Sequence, residues 1–503
     1  MKNLAHQNIL VLGLGASGLA LARWCVRCGA HVTVADTRSA PPQLASLQDS
    51  VPAAKFVTSP MDGALLAGTA FDLVLKSPGL SPASISGVLA AAQAQGIPCG
   101  NELSLFAQAL ADLKEDLAYA PKVVGITGTN GKTTVTSLTG QLIERAGKSV
   151  AVAGNIGPTL LDTLTGKLDE HARDPSAALP EFWVLELSSF QLDGVTNFEP
   201  DVATVLNITQ DHLDWHETLP AYAAAKSHVY GRSGLMLLNR NDPLVMTAVP
   251  ALVKGKPGRS YLTFGGDEPK RPGDYGIETV NGMAWLVRAA EADETIKRRK
   301  AEELVLHIQR LMPLEALRIQ GRHNATNALA ALGLAVAVGC PLAPMLHGLR
   351  EYRGEPHRVE SVAVLEGIEY FDDSKGTNVG ATVAALAGLG SERKLVLILG
   401  GEGKGQDFSP LADPVARYVR VVVLIGRDAP LIRAALQGSR VELLDAASMQ
   451  EAVSLAAGQA RPGDAVLMSP ACASFDMFDN YEHRARVFCE AVQELAVEQG
   501  AVL

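Results

Sequence analysis

The chain is poor in cysteine, in positive charge and in uninterrupted apolar runs, and each scarcity removes a class of protein. Six cysteines are scattered through 503 residues, which fits a reducing cytoplasm and not a disulfide framework. Cys25-Val-Arg-Cys28 has metal-like spacing, yet no second pair completes a site, so both thiols are expected on a helix after the first strand. Lys and Arg number 44 against 54 Asp and Glu, a net charge of −10. No basic surface recommends nucleic acid or an anionic membrane as partner, although local clusters for phosphates fit within that total. No segment has enough consecutive apolar residues to span a bilayer. The apolar run at residues 9–26 is broken by glycines at strand-turn-helix spacing and by Arg23, which argues against a signal peptide. What remains is a well-packed cytoplasmic protein, 47% apolar and too long for one core.

The most informative stretch present is Gly125-Ile-Thr-Gly-Thr-Asn-Gly-Lys-Thr-Thr134. It follows the apolar run Lys122-Val-Val-Gly and opens into a helical pattern from Val135. A strand, a glycine-rich turn and a helix N-terminus form a cradle of backbone N–H groups for phosphate oxygens. Lys132 would reach the β/γ-phosphates and the Thr133 hydroxyl would sit on Mg²⁺. The usual glycine five residues before Gly131 is Ile126 here; glycines stand at Gly125 and Gly128 instead. The spacing predicts a nucleoside-triphosphate site.

Apolar runs alternating with helical patterns predict an α/β protein with doubly wound parallel sheets. Three domains are expected, at residues 1–117, 118–353 and 354–503. A polar helical stretch at residues 111–120 leads into the second. Residues 263–310 read as a polar, irregular insertion, and the run Lys297-Arg-Arg-Lys300 as its solvated face, because Glu302 and Glu303 follow.

Other motifs follow predicted strands. Gly13-Leu-Gly-Ala-Ser-Gly18, with Asp36 past the next strand, has the form of a dinucleotide fingerprint. Without a nicotinamide-facing catalytic set, a nucleotide diphosphate group without redox chemistry is favoured. Glu186, at the end of the run 182–187, suits a hard divalent cation, although strand-end Glu is more often solvated or salt-bridged. His212 and His216 lack a third ligand for zinc. One His beside phosphate or Mg²⁺ is the better reading, and His216 stays unassigned. Asn324 either caps a helix or, with Asn327 three residues on, presents an amide to a base. In the third domain Lys375, Thr377, Lys404 and Ser474 stand on three loops at strand ends and offer cations and hydroxyls to a carboxylate-bearing substrate.

These residues resemble the Mur ligases, the ATP-dependent amino-acid ligases of peptidoglycan synthesis. The resemblance is carried by Gly-Thr-Asn-Gly-Lys-Thr at 128–133, Leu-Glu-Leu-Ser-Ser-Phe-Gln at 185–191 and Gly-Arg-His-Asn-Ala-Thr-Asn at 321–327. Pro-His-Arg at 356–358 and Asp-Ser-Lys-Gly-Thr-Asn at 373–378 extend it. It runs the whole length apart from insertions near 165–180 and 265–312. Ser-Pro-Gly at 77–79, Gly-Asn-Ile-Gly at 154–157 and Ser-Pro-Ala-Cys-Ala-Ser-Phe-Asp at 469–476 are most similar to the member that adds D-glutamate to UDP-N-acetylmuramoyl-L-alanine. The Asp-Asn-Pro-Arg motif of the diaminopimelate-adding relative is missing.

The resemblance implies a Rossmann-like UDP-binding domain, a central P-loop ATPase-type domain and a C-terminal Rossmann-like domain. Gly15, Ala16, Ser17, Asp36, Thr37, Arg38, Ser77, Gly79, Asn155 and Ser188 would contact the UDP substrate. Gly128, Thr129, Asn130, Gly131, Lys132, Thr133 and Thr134 would hold ATP, with Asn324, Asn327, His357, Arg358 and Asp373. Thr133, Glu186 and His212 would ligate Mg²⁺. Lys226 matches a lysine carried as a carbamate, which would coordinate a second ion; by itself it reads as an exposed helical lysine. Lys132, His212 and Lys226 would be the catalytic set. Lys375, Thr377, Lys404, Ser474, Phe475 and Tyr481 would form the D-glutamate pocket. A monomer acting on small molecules is expected. Another Mur-type or folate-type ligase with a different amino acid, a nucleotide-operated switch and a dehydrogenase are the rival readings. Amino-acid dependence of phosphate release separates the first, turnover needing two further small substrates excludes the second, and failure to bind nicotinamide the third.

Overall fold

A computed structural model describes residues 4–249, 258–291, 306–390 and 393–500. The run at 297–300 and Glu302 and Glu303 lie outside them. Four sheets follow one another along the chain. The first joins β1 (Asn8–Leu12), β2 (His31–Asp36), β3 (Lys55–Thr58), β4 (Leu73–Lys76) and β5 (Cys99–Gly100) in the order β3-β2-β1-β4-β5, all parallel. Strand order reverses between β1 and β4, so a ligand crevice opens beyond their carboxyl ends. Gly13 and Ser77 occupy that point.

The second sheet contains β6 (Lys122–Thr127), β7 (Val150–Gly154), β8 (Phe182–Glu186), β9 (Val202–Val205), β10 (Leu235–Asn239) and β11 (Tyr261–Phe264). Its order is β11-β10-β9-β6-β8-β7, again parallel. Every residue of β8 is buried, as expected of a strand covered on both faces. The phosphate loop leaves β6 between the ends of β8 and β9.

The described parts of 263–310, residues 263–291 and 306–310, are not irregular. They contribute β12 (Tyr275–Val280), β13 (Met283–Glu291) and the start of β14 (Leu306–Pro313), a three-stranded antiparallel sheet. Tyr275, Ile277, Leu286 and Met312 share one face and join the core, while on the other face Val287 and Ala289 are buried and Glu278, Trp285 and Arg310 are partly or fully exposed. That partly solvated face makes the composition look like loop. The 165–180 segment is mostly the regular crossover helix Leu160–Arg173. The stretch at 111–120 is the end of an amphipathic helix, Glu102–Leu117, which stops at Ala118 in the left-handed region.

The last sheet has β15 (Glu360–Leu365), β16 (Ile368–Asp372), β17 (Leu395–Gly400), β18 (Val419–Ile425), β19 (Glu442–Asp445) and β20 (Ala465–Met468). Its order is β15-β16-β20-β17-β18-β19, parallel except for the β15–β16 hairpin. One apolar cluster runs from Ile9 and Phe106 to Val123, Trp183 and Val245, joining the first sheet to the second. The last sheet keeps two clusters of its own. Among the described residues no helix is long and apolar enough to cross a membrane.

Candidate active site

The helix Lys132–Arg145 starts one residue after Gly131, whose φ is +82°. The displaced glycine has a packing reason. At Gly128, φ is +157° and a Cβ would lie 2.9 Å from Leu206 Cβ on the end of β9. Asn207 fastens the loop from the same strand end: its Oδ1 accepts from Asn130 N–H at 2.8 Å, and its Nδ2 donates to Asn130 O at 3.0 Å. Lys132 curls back over the loop and donates to Gly128 O and Thr129 O at 2.9 and 2.8 Å.

Beside the loop lies a polar cavity of about 710 Å³. From the second sheet it is lined by Thr129, Asn130, Gly131, Lys132, Thr133, Asn155, Glu186 and His212. His357, Arg358, Lys375, Thr377 and Tyr481 enter from the last sheet. Arg358 donates to Thr133 Oγ1 at 2.8 Å, and Asn130 and Asn378 exchange hydrogen bonds of 3.3 and 3.1 Å. A smaller recess of about 60 Å³ adjoins, with Thr134, Asn324, Asn327 and Asp373 in its wall. Asn324 does not cap its helix: Arg322–Ala337 begins after Gly321, and Asn324 Nδ2 donates to Gln320 O at 2.8 Å. Asn327 donates to Asn324 Oδ1 at 3.2 Å, so the two amides do share a face. A Cβ at Gly131 would stand 2.8 Å from Asn327 Oδ1, which sets this helix against the phosphate loop.

Burial shapes the charges. It lowers the pKa of Lys132, with Glu186 and Asp211 acting against it. Lys226 is not exposed but 1% accessible, beneath the loop. Its Nζ donates to Gly128 O at 2.9 Å and stands 4.5 Å from the Tyr222 ring centre. Desolvation, then repulsion from Lys132, holds its pKa well below the ordinary value. Lys375, its Nζ 3.6 Å over the Tyr481 ring, is brought down to about 8, mainly by burial. Asp373 is pushed up to about 7 by burial, although Ser469 donates to its Oδ2 at 2.7 Å. His357 Nδ1 lies 2.6 Å from Asp372 Oδ2.

The first-sheet residues gather apart from this cavity. Asp36 closes β2, accepting from Leu14 N–H at 2.8 Å and from Arg38 through two side-chain bonds of 2.8 Å. The Arg38 guanidinium holds its carboxyl well below the usual range. Ser77 Oγ donates to Gly13 O at 2.9 Å. Gly15, Ala16 and Ser17 begin the helix Ala16–Arg27, while Thr37 and Gly79 are exposed at the rim. Ser188 caps a short helix through Gln191 and does not line the cavity. Lys404 and Phe475 are exposed with Nζ 6.0 Å from the ring centre, and Ser474 is buried; none of the three lines the cavity. His216 meets Ser189 Oγ at 2.9 Å within a ring cluster around Phe190 and Trp215, a structural role.

Family models describe the same three parts. The Mur ligase middle domain matches residues 126–335, the Mur ligase glutamate ligase domain 357–472, and the Mur ligase MurD-like N-terminal domain 7–100. The chain belongs to the Mur ligase family. A curated relative in Albidiferax ferrireducens, named UDP-N-acetylmuramoylalanine–D-glutamate ligase, is 66% identical over 100% of this chain and 99% of its own. One of the same name in a Polaromonas species is 60% identical, covering 100% of both. The solved MurF ligase of Thermotoga maritima with ADP superposes with TM-score 0.57 at 15% identity, covering 98% of this chain and 97% of its own. Its MurC from the same organism gives 0.53 at 20%, covering 97% and 100%.

Residues that the sequence did not single out also contact the phosphate loop and cavity in this Mur ligase. Asn207, Asp211, Tyr222 and Asn378 surround the loop, Tyr222 donating to Thr129 Oγ1 at 3.1 Å. Asn207 and Asp211 follow a strand, Tyr222 shares the helix of Lys226, and Asn378 closes the 373–378 motif and caps the helix Val379–Leu389. The donor set suits a divalent cation on one direct observation. Glu186 is 1% exposed; Asn155 Nδ2 donates to its Oε1 at 2.8 Å, and Oε2 has no hydrogen-bond partner among the described residues. A buried carboxylate oxygen left open beside a phosphate loop is what a hard cation requires.

Proposed function

We infer that this Mur ligase adds D-glutamate to UDP-N-acetylmuramoyl-L-alanine at the expense of ATP, a step of peptidoglycan precursor synthesis. The observation that carries the reading is the single cavity shared by the phosphate loop, Glu186 and the third-domain residues Lys375, Thr377 and Tyr481. The units are residues 1–117 for the UDP substrate, 118–353 for ATP and 354–503 for the amino acid. ATP is needed because a free carboxylate is a poor electrophile.

The alanine carboxylate attacks the γ-phosphate, giving an acyl phosphate and ADP. The D-glutamate amine then attacks the activated carbonyl, and the tetrahedral intermediate collapses to amide and phosphate. Lys132 turns from the loop carbonyls to the transferring oxygens and stabilises the charge developing there. Asn324, Asn327 and Asp373 receive the nucleoside, and His357 and Arg358 reach over the phosphates. Lys375, its pKa lowered to about 8 by burial and so still mostly charged at neutral pH, pairs with a substrate carboxylate together with Thr377 and Tyr481. Lys404, Ser474 and Phe475 complete that pocket when the third domain closes over the substrates.

Thr133, Glu186 and His212 would hold Mg²⁺, with a second ion at Lys226. The ions would supply charge neutralisation at phosphate oxygens. The environment of Lys226 suits a carbamate: a buried amine with a lowered pKa is the neutral nucleophile that carbon dioxide requires. A ¹³C carbamate resonance that vanishes in Lys226→Ala checks this. The enzyme works as a monomer in the cytoplasm, where ATP is made.

Phosphate release from ATP and Mg²⁺ with UDP-N-acetylmuramoyl-L-alanine, offered D-glutamate, L-glutamate or diaminopimelate separately, is the deciding assay. Release with D-glutamate alone is expected. Release with another amino acid would move the substrate, and silence in all three would refute the ligase reading.

A further inference from the structure

Glu102 opens the helix Glu102–Leu117, where a carboxylate suits the helix dipole. Its burial is unusual, for it is 1% exposed, and acidic side chains are almost never enclosed to that degree unless paired. Among the described residues no cation pairs with it. Its Oε1 instead accepts a 3.0 Å hydrogen bond from Leu161 N–H, in the first turn of the helix Leu160–Arg173. That helix has no side-chain cap of its own at Thr159, so the acceptor arrives from the neighbouring domain. The Ser17 hydroxyl, in the first turn of Ala16–Arg27, and Leu160 N–H face the same carboxyl and favour its charged form against the larger effect of burial. Oε2 still has no partner of full hydrogen-bond geometry. The N-terminal turns of three helices, from both sides of a domain boundary, converge on one carboxyl group.

Two of those turns lead to surfaces the substrate must touch. Ser17 belongs to the glycine-rich seat at the carboxyl ends of β1 and β4. Upstream of Leu160 the chain runs back through Pro158, whose carbonyl accepts from Gly154 N–H at 2.9 Å, to Asn155 in the cavity wall. Asn155 N–H in turn donates to Glu186 O at 2.8 Å. Ion pairs Arg23–Asp162 at 3.5 Å and Arg27–Asp169 at 2.7 Å continue the same helix contact away from the seat.

We propose that Glu102 is a positioning residue for the UDP-sugar: tying the Ser17 turn to the start of Leu160–Arg173 fixes the diphosphate seat relative to Asn155. The inference rests on the ligase reading. A substrate that reaches from the first sheet to the cavity binds only when its two ends are held at one separation. Neither ATP nor D-glutamate spans that boundary, so their binding does not depend on the tie.

The test compares Glu102→Gln, which keeps the acceptor for Leu161 N–H, with Glu102→Ala, which removes it. The KM for UDP-N-acetylmuramoyl-L-alanine is expected to rise about tenfold in Glu102→Ala and to change less than about threefold in Glu102→Gln. The KM values for ATP and D-glutamate, and kcat, stay within about twofold in both. An unchanged UDP-sugar KM in folded Glu102→Ala overturns the proposal. So does a parallel change in all constants, which general loosening would cause, or equal damage in Glu102→Gln. If Glu102→Ala does not fold, Glu102→Asp, one methylene short of Leu161, takes its place with the same expectation. An inactive wild type refutes the ligase reading alone; calorimetric binding of the UDP-sugar to wild type and variant then tests Glu102 without turnover.

Discussion

Replacing Gly18 and Gly15 separately by Ala divides the first glycine-rich turn into a packing residue and a ligand-facing one. A Cβ at Gly18 would lie 2.0 Å from Gly13 O and 2.9 Å from Ser77 Oγ. Carbon and oxygen approach to roughly 3.3 Å, so the start of Ala16–Arg27 must withdraw by about 1 Å. The obstructing atom is backbone and cannot swing aside. Overpacking of this kind costs about 1–3 kcal/mol. Losing the 2.9 Å hydrogen bond from Ser77 to Gly13 O adds about 1 kcal/mol. The sum, about 2–4 kcal/mol, lowers the melting temperature of the block formed by the first two sheets by roughly 3–5 °C. Gly15 differs, with nothing within 4 Å of a Cβ and φ at −93°. Ala there should change stability by less than about 0.5 kcal/mol. On the proposed reading a diphosphate approaches the helix N-terminus through this open space, so the UDP-sugar KM should rise about tenfold. Thermal melts and phosphate release against UDP-sugar concentration read both effects. A Gly18→Ala protein melting with the wild type, or a Gly15→Ala protein binding substrate equally well, would refute the division.

Lys132→Ala should lose about 3–4 kcal/mol of transition-state stabilisation, or about 10²–10³ in kcat, and near-normal phosphate release would sink the loop assignment. Asp373→Asn tests a pH effect of defined sign. The folded pKa is raised from 3.8 to about 7, so the proton on Asp373 stabilises the fold below about pH 4 and that contribution fades as pH rises through the folded value. Melting temperatures at pH 5 and 8 should lie closer together in Asp373→Asn than in the wild type; an unchanged gap contradicts the assignment.

What was legible in the sequence was local. The strands β1, β6 and β8 are apolar runs, and the turns that follow β1 and β6 carry glycines at telling positions. Lys132, Thr133 and Glu186 were readable because chemistry and strand end coincide. The antiparallel sheet β12–β14 was not, since a solvated face dilutes its apolar alternation and an ion pair such as Arg310–Glu278, 2.8 Å apart, looks like loop composition. Asn207 and Asp211 act on the loop after β6 only because β9 lies next to it in the sheet, a pairing no window reveals. Glu102 reads as an ordinary first-turn acid; its partners at Ser17 and Leu161 are far away in the chain. Lys226 is the extreme case, for nothing in a helical Ala-Ala-Ala-Lys announces burial under a phosphate loop.

The division of the apolar clusters sets how the molecule comes apart. The first and second sheets share one cluster, with Phe106 edge-on to Trp183 at 5.0 Å, so those two units unfold as a single cooperative block. The last sheet has its own interior and meets the rest through hydrogen bonds such as Arg358–Thr133 and Asn130–Asn378. In urea it should therefore leave the native state in a transition of its own. On the proposed reading nucleotide binds across the seam and is held only while both blocks are folded, so at a hundredfold excess over its dissociation constant it would add about 2.7 kcal/mol to their union. ATP would then be a structural fastener as well as a reactant, and the two transitions should merge as its concentration rises.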